Sequence, residues 1–278
     1  MKTVATADTE VAVTLPASAV SRMIAGLRAV AFLISAIVIL LILGPMLAFG
    51  RETATVRKAY FRFIARVLGL RLVVTGKPTD QRPALFVCNH ISYLDVVALG
   101  AVVEGEFVSR ADVADWPLFG IMAKAGSTVF IDRRRRATHH ARDLMQDRIG
   151  RHRALIMFPE STSGNGNHLL PFKSSLFNVA ESEVSGGKVI VQPVSLAYTR
   201  TNGMPIGVGW RPLWAWYGDM TLMPHLWSVL QLGRTTIEVA FHDPVSADGF
   251  ADRKALAAHC QSVIGRGFAR LLSGRSAA

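Results

Sequence analysis

The chain has 278 residues, half of them hydrophobic, and its 31 lysines and arginines against 20 acidic residues give a net charge of +11. This length holds one large domain or two small ones, and the positive excess calls for an anionic partner: nucleic acid, an acidic protein or anionic lipid. The two cysteines, Cys88 and Cys260, are too few for a disulfide framework and fit a reducing compartment.

Residues 1–20 are small and polar, which predicts a loose terminal segment. Residues 21–70 predict a membrane anchor followed by a basic amphipathic helix. The 22 residues 29–50 carry no charge, and as a helix they would span roughly 30 Å, about one bilayer core. Gly44 and Pro45 fall within this stretch, so it either crosses the membrane or enters and returns as two short helices.

Basic residues are distributed unequally around the apolar stretch. Arg22 and Arg28 precede it, whereas six basic residues follow it: Arg51, Arg57, Lys58, Arg62, Arg66 and Arg71. The positive-inside rule therefore predicts that residues after Gly50 lie on the cytoplasmic face of a bacterial inner membrane. Residues 56–67 have apolar and basic faces at helical spacing, which predicts a helix on an anionic membrane surface. No groove-reading motif accompanies the charge, so nucleic acid is not an expected partner.

Residues 71–278 alternate strand-like and helical patterns, which predicts an α/β fold: a layered domain with a mostly parallel central sheet flanked by helices. The predicted strands are 72–75, 84–88, 106–108, 128–131, 154–158, 189–196 and 236–241. The predicted helices are 92–103, 116–125, 138–149, 174–181 and 253–272. A loop at 201–227 contains five tryptophan or tyrosine side chains, which indicates either interfacial aromatic residues or a flap covering the core.

The segment Asn89-His90-Ile91-Ser92-Tyr93-Leu94-Asp95 directly follows the apolar strand 84–88. Within one helix, five positions would separate His90 and Asp95 by roughly 140°, so His90 is predicted to lie in a turn before a helix that begins near Ser92. An imidazole oriented by a carboxylate suits a general base acting on an alcohol. The alternative is a capping box, in which Asp95 reaches back to the Ser92 amide and His90 is structural.

The neighbourhood of this turn raises two further expectations. Cys88 precedes it, and a small buried strand residue is a better interpretation of that cysteine than a thiol nucleophile. The backbone amides near Ser92 are candidate donors to a transition-state oxyanion.

Three other predicted strands end in polar residues, at 126–133, 158–163 and 191–194. Because ligand sites in open α/β sheets gather at the carboxyl ends of strands, all four ends are expected to converge on one crevice. His139 and His140 are adjacent and lack metal-ligand spacing on one helical face, and no other Cys/His cluster occurs, so no metal is expected.

Taken in order from residue 72 to 196, these four motifs resemble those of the lysophosphatidic acid acyltransferase family of glycerolipid acyltransferases. The resemblance implies transfer of a fatty acyl group from an acyl carrier protein or coenzyme A thioester to a lipid hydroxyl, with no further cofactor. It implies His90 as the base and Asp95 as its orienting partner. The residues that it implies for acceptor binding are Asn89, Arg133, Glu160, Ser161 and Thr162, with Pro193 shaping the floor of the site.

The third motif departs from the family pattern Glu-Gly-Thr-Arg, since Ser163 stands where the phosphate-gripping arginine is expected. Serine does not replace an arginine fork, which argues against a phosphate-bearing acceptor. Segments 160–166, 170–176 and 216–227 resemble the lyso-ornithine lipid acyltransferases, whose acceptor hydroxyl lies on a 3-hydroxyacyl chain attached to ornithine. In that interpretation Lys173 either pairs with the ornithine carboxylate or is a surface lysine.

Two questions stay open from the sequence. The basic run 133–142 is either a solvated helix start or a docking site for an acidic acyl carrier protein or anionic lipid head groups. For the whole chain, the alternatives to a lyso-ornithine lipid acyltransferase are a 1-acyl-sn-glycerol-3-phosphate acyltransferase, an enzyme with both activities, or a non-catalytic, basic, membrane-associated scaffold.

Overall fold

The computed structural model describes residues 18–131, 138–181 and 188–274, without the side chains of 138–142. The helices are α1 Ala19–Ala48, α2 Ala54–Val67, α3 Leu94–Val102, α4 Phe119–Ala125, α5 Thr138–Gly150, α6 Leu222–Gln231 and α7 Arg253–Leu272. The strands are β1 Leu70–Thr75, β2 Ala84–Cys88, β3 Glu106–Arg110, β4 Val129–Ile131, β5 Ala154–Met157, β6 Ile190–Thr201, β7 Met204–Pro205, β8 Thr235–Phe241 and β9 Val245–Ser246.

These strands form one sheet in the order β1-β8-β6-β2-β5-β3-β4, with β7 and β9 paired to parts of β6. The five strands from β6 to β4 are parallel to one another, and β8 runs antiparallel to β6. Every residue of β2 and of β5 is buried, as expected for strands covered on both faces. The predicted α/β class with a mostly parallel sheet is confirmed.

Alternate residues of β2 contribute to two separate hydrophobic layers. Phe86 belongs to the layer that contains residues of α2, α3 and α6, whereas Leu85 and Val87 belong to the layer that contains residues of α5. Because β2 and β5 are parallel neighbours, the loops that follow them emerge side by side at one edge of the sheet. Those two loops carry the His90 and Glu160 motifs.

α1 is one continuous helix that includes Pro45, so the described chain does not form the alternative pair of short helices. Its most apolar 18 residues have a mean hydropathy of 2.8 and are 17% buried, and by length and composition it fits a membrane-crossing helix. Arg28 joins it to the rest of the protein, because Nη1 donates to the carbonyl oxygens of Leu230 and Leu232 at 2.9 and 2.7 Å. Cations at a helix C-terminus satisfy carbonyls that lack partners within the helix, here those of α6.

α2 packs into the core more closely than a helix lying on a membrane surface would. Ile64 is 2% exposed, and the buried Arg57 donates to the carbonyl oxygen of Gly126. Two residues of its predicted basic face contact the last turn of α3 and the residues that follow it. Arg62 Nε donates to Ala101 O at 2.9 Å, and Lys58 Nζ lies 3.3 Å from Glu104 Oε1. The helical spacing of α2 alone does not predict these contacts.

Three predicted segments differ most from the structure in type or length. β6 continues to Thr201, five residues beyond its predicted end, because β8 and β7 supply partners for the extension. Ser174–Glu181 is a 3₁₀ helix rather than an α-helix. The predicted loop 201–227 contains the first turns of α6, which starts at Leu222.

The tryptophans of this region divide between the two interpretations of the loop. Trp214 is 2% exposed and its Nε1 donates to Thr235 Oγ1 at 2.9 Å, so this part of the loop covers the core. Trp210 and Trp227 are 50% and 44% exposed, which leaves their rings on the surface.

Candidate active site

The turn after β2 brings His90 and Asp95 into direct contact. His90 Nδ1 lies 2.9 Å from Asp95 Oδ2, and the Asp95 side chain has no exposed surface, whereas that of His90 is 19% exposed. α3 begins at Leu94, so His90 precedes the helix and Asp95 lies in its first turn. This is the arrangement that the five-residue spacing predicts, and it leaves Nε2 as the ring nitrogen able to accept a proton.

Asp95 also closes the turn, so the capping role exists together with the histidine contact. Its Oδ2 accepts from the backbone amides of Ile91 and Ser92 at 2.6 and 2.9 Å. These two amides are therefore paired with Asp95, and the expected oxyanion donors would have to be other amides near Ser92. Three donors on one carboxylate oxygen fix its position relative to the His90 ring.

Tyr198 completes the surroundings of Asp95 and was missed in the sequence. Its hydroxyl donates to Asp95 Oδ1 at 2.7 Å from β6, and its ring is 3% exposed. Burial and the neighbouring Asp95 raise the pKa of Tyr198 well above its usual range, so the hydroxyl keeps its proton and remains a donor. The available signal was a tyrosine inside an apolar strand, since a buried phenol needs a polar partner.

Asn89, for which the resemblance implies acceptor binding, bonds to the backbone of β6. Its Nδ2 donates to Leu196 O at 2.9 Å, and its Oδ1 accepts from Leu196 N at 2.8 Å. The side chain is 2% exposed. Asn89 thus joins the end of β2 to β6 and holds the His90 turn in place, with its amide fully used.

Glu160 likewise has a buried, supporting position rather than the head-group contact that was expected. It is 3% exposed; Oε1 accepts from His90 N at 2.7 Å and Oε2 from Leu170 N at 2.8 Å. Burial raises the pKa of Glu160 to about 8, although these two amide donors favour the ionised form. Its carboxyl group thus links the β2 loop to the β5 loop and holds the backbone of His90.

The remaining predicted residues are spread around this centre. Ser161 is half-buried and Thr162 is exposed in the turn after Glu160, so both lie at the surface of the β5 loop. Lys173 is exposed, and its backbone amide donates to Pro159 O at 2.8 Å. Pro193 is buried in β6 in register with Val87, within the sheet beneath the turn.

Two further residues complete the comparison with the predicted site. Arg133 lies outside the described residues, as does the start of the basic run that contains it. Cys88 has no exposed surface, and burial raises the pKa of its thiol well above the usual range, as expected of a structural strand residue. Within the described ranges, no cluster of three or more His, Cys, Asp or Glu side chains could hold a metal ion.

An apolar cavity of about 220 Å³ lies near the His90 turn, and Tyr93 of that turn lines it although His90 does not. The His90 ring stacks on Phe158, with centroids 4.0 Å apart, and Phe158 stacks in turn on Phe107 at 6.5 Å. Phe107 and Tyr93 both line the cavity, whose walls come from α1, α2, α3, β3 and α4. A long hydrocarbon chain fits this lining, and two stacked rings connect it to the imidazole.

Comparisons with known proteins agree with this geometry. An acyltransferase family model matches residues 71–197. The lyso-ornithine lipid O-acyltransferases of Brucella abortus and Rhizobium meliloti are 42% and 38% identical, over 71% and 78% of this chain and 76% and 74% of their own lengths. A 1-acyl-sn-glycerol-3-phosphate acyltransferase of Neisseria gonorrhoeae is 33% identical over 65% of this chain and 68% of its length.

A solved structure has the same fold. The crystal structure of the 1-acyl-sn-glycerophosphate acyltransferase PlsC from Thermotoga maritima aligns with a TM-score of 0.58. The alignment covers 88% of this chain and 97% of that one at 20% sequence identity.

Proposed function

Because this chain belongs to the acyltransferase family, we propose that it transfers a fatty acyl group from a thioester to the hydroxyl of lyso-ornithine lipid. The observation that carries the proposal is the His90–Asp95 pair, 2.9 Å between Nδ1 and Oδ2, beside an apolar cavity. A scaffold without chemistry would not need a partly exposed imidazole held by a carboxylate that receives four hydrogen bonds.

In the proposed reaction His90 is the general base. Its Nε2 removes the proton of the lipid hydroxyl as the oxygen attacks the thioester carbonyl carbon, while Asp95 stabilises the imidazolium that forms. The tetrahedral intermediate then collapses, the C–S bond breaks, and the imidazolium returns the proton to the departing thiolate. An ester and a free thiol result, without a covalent enzyme intermediate, and the thioester supplies the driving force.

The acyl chain of the donor is proposed to occupy the apolar cavity. Its lining is almost entirely hydrocarbon and aromatic, so burial of each additional methylene contributes about 0.8 kcal/mol. The donor is proposed to be an acyl carrier protein or coenzyme A thioester, and no other cofactor is required for the chemistry. An acidic carrier protein suits a chain with a net charge of +11.

Lyso-ornithine lipid is preferred to lysophosphatidic acid as acceptor because Ser163 stands at the position of the family's phosphate-binding arginine. Four of the relatives compared, at 32–42% identity, act on lyso-ornithine lipid by name. Acylation of 1-acyl-sn-glycerol-3-phosphate is the second candidate, favoured by the Neisseria relatives at 33% identity.

The location proposed for this reaction is the cytoplasmic face of a bacterial inner membrane. α1 supplies an apolar surface, and the positive residues that follow Gly50 favour the cytoplasmic side. The acceptor is a lipid, so a protein associated with the bilayer meets it where it is concentrated.

The test offers purified full-length protein lyso-ornithine lipid and lysophosphatidic acid in parallel, with one acyl thioester. We expect acylation of lyso-ornithine lipid at a kcat/KM at least about tenfold higher than that of lysophosphatidic acid, because a phosphate dianion without its arginine is poorly bound. Acylation of the phosphate lipid alone would make the proposed acceptor wrong.

A further inference from the structure

Arg211 lies beside the His90 turn, in the loop that connects β7 to α6. Gly166 separates it from that turn: a Cβ atom on this glycine would lie 3.4 Å from Ile91 Cγ2 and 3.5 Å from Arg211 Cβ. Ile91 and Arg211 therefore face each other within about 7 Å. Ile91 directly follows His90, so the Cβ atom of Arg211 lies close to the turn that carries the histidine.

Hydrogen bonds tie the loop of Arg211 to the candidate active site at two points. Trp216 N donates to Ile91 O at 3.0 Å, and Ser163 Oγ donates to Trp216 O. Gly164 N donates to His90 O at 2.9 Å, so the loops after β2 and β5 and the loop of Arg211 form one connected unit.

The guanidinium of Arg211 is oriented but has no acidic partner among the described residues. Its Nη1 donates to Asn167 Oδ1 at 3.1 Å, and Asn167 is itself held by a bond from Nδ2 to Val208 O at 3.1 Å. Nε is buried without a hydrogen-bond partner. Burial lowers the pKa of Arg211, which means that the charged form lacks compensation that an anion would provide.

The position of Ser163 connects this arginine to the departure from the family motif. A serine there cannot bind an anion as an arginine does, but its hydroxyl holds the loop that carries Arg211. The chain therefore lacks the family's arginine at position 163, whereas Arg211, from the loop before α6, lies beside the same turn.

We propose that Arg211 binds the carboxylate of the ornithine head group and thereby selects the acceptor. The inference rests on the proposed function. In the acceptor, about five bonds separate the carboxylate from the carbon that bears the reacting hydroxyl, so both groups must be held within one small site. A fork of two parallel N–H donors matches a carboxylate, and the unpaired Nε of Arg211 together with its second terminal nitrogen can form such a fork. Lys173, the other candidate, is exposed and has no comparable orientation.

The experiment compares lyso-ornithine lipid with its carboxamide analogue, in which the head-group carboxylate is replaced by a neutral amide. The wild-type protein is expected to prefer the carboxylate by about 10- to 100-fold in kcat/KM, mainly through KM. Arg211→Gln should lose this preference and acylate both lipids at similar rates. Arg211→Lys keeps the charge without the fork and should retain part of the preference.

Arg71→Gln is the matched control, because Arg71 is exposed on the edge strand β1 and two strands separate β1 from β2. It should discriminate between the two lipids as the wild type does. Thermal unfolding checks that each variant is folded; if Arg211→Gln fails to fold, Arg211→Lys decides, and an unchanged preference in it overturns the inference.

Three results would contradict the proposal in distinguishable ways. A wild-type preference retained in Arg211→Gln would overturn the role of Arg211 but leave the acyl transfer intact. Loss of the preference in Lys173→Gln instead would assign the carboxylate to that lysine. A wild-type protein that acylates neither lipid would overturn the proposed function itself, and the inference with it.

Discussion

The His90 turn and the apolar cavity beside it are held together by different forces. In the turn, Asp95 receives hydrogen bonds from two backbone amides, a tyrosine and the histidine, and Glu160 and Asn89 each use both polar atoms of their side chains. The cavity is lined by apolar groups from five elements, almost without directional bonds. Directional bonds set the orientation that proton transfer needs, whereas a hydrocarbon chain needs only shape and apolar contact.

This contrast predicts that changes in the turn reduce the rate for every substrate, whereas changes in the cavity alter the preference among acyl chains.

The largest effect is expected at His90. His90→Ala should lower kcat by about 10²–10⁴-fold with all thioesters, because the general base is removed. Initial rates of acyl transfer with short and long donors measure it, with His259→Ala on α7 as a control that should keep wild-type turnover. Undiminished turnover of His90→Ala would remove the base assignment.

The next effect concerns Tyr198, whose hydroxyl donates to Asp95 Oδ1, the carboxylate oxygen that His90 does not contact. Tyr198→Phe removes one hydrogen bond to a buried carboxylate and should cost about 1.5–3 kcal/mol of stability, with a fall in kcat of about tenfold. Denaturant unfolding and initial rates measure the two quantities. A loss of stability with kcat unchanged would mean that Tyr198 supports the fold without helping to orient Asp95.

A smaller and selective effect is expected in the cavity. Val97 lines it from α3, and Val97→Phe should reduce kcat/KM for long-chain thioesters about three- to tenfold while short-chain donors keep most of their rate. Donors of graded length measure the change, with Val73→Phe on the exposed face of β1 as the control. An equal reduction for all lengths would contradict acyl binding in this cavity.

The last prediction concerns stability alone, as a function of pH. Because the pKa of Glu160 is raised to about 8 in the folded protein, its favourable contribution is complete below the unfolded value, near 4.5, and is lost as the pH rises through 8. The wild type should therefore lose stability relative to Glu160→Gln between about pH 5 and 8.5, by about 1.4 kcal/mol for each unit of pKa difference. Unfolding curves of both proteins across this range measure it. A constant difference would mean that the two amide donors keep the carboxyl ionised.

Sequence patterns predicted most strands to within a few residues, and β2 and α7 at their observed bounds. They also predicted the contact between His90 and Asp95, since five residues across a strand-to-helix turn leave few geometries. The family resemblance from four ordered motifs is confirmed by the relatives. The buried hydrogen bonds of Asn89 and Glu160 were not predicted, because a motif names a residue without revealing which way its side chain points.

Local order along the chain was therefore enough to specify the α/β class, the apolar helix and the acid–base pair, because hydrophobic periodicity and short-range turn geometry involve neighbouring residues only. The surroundings of that pair were decided by the fold. Tyr198 lies 103 residues from Asp95, and Arg211 approaches Ile91 from another loop, so both contacts depend on strand order and on how distant loops pack. Such contacts form only when the sheet is assembled, and no pattern within one segment encodes them.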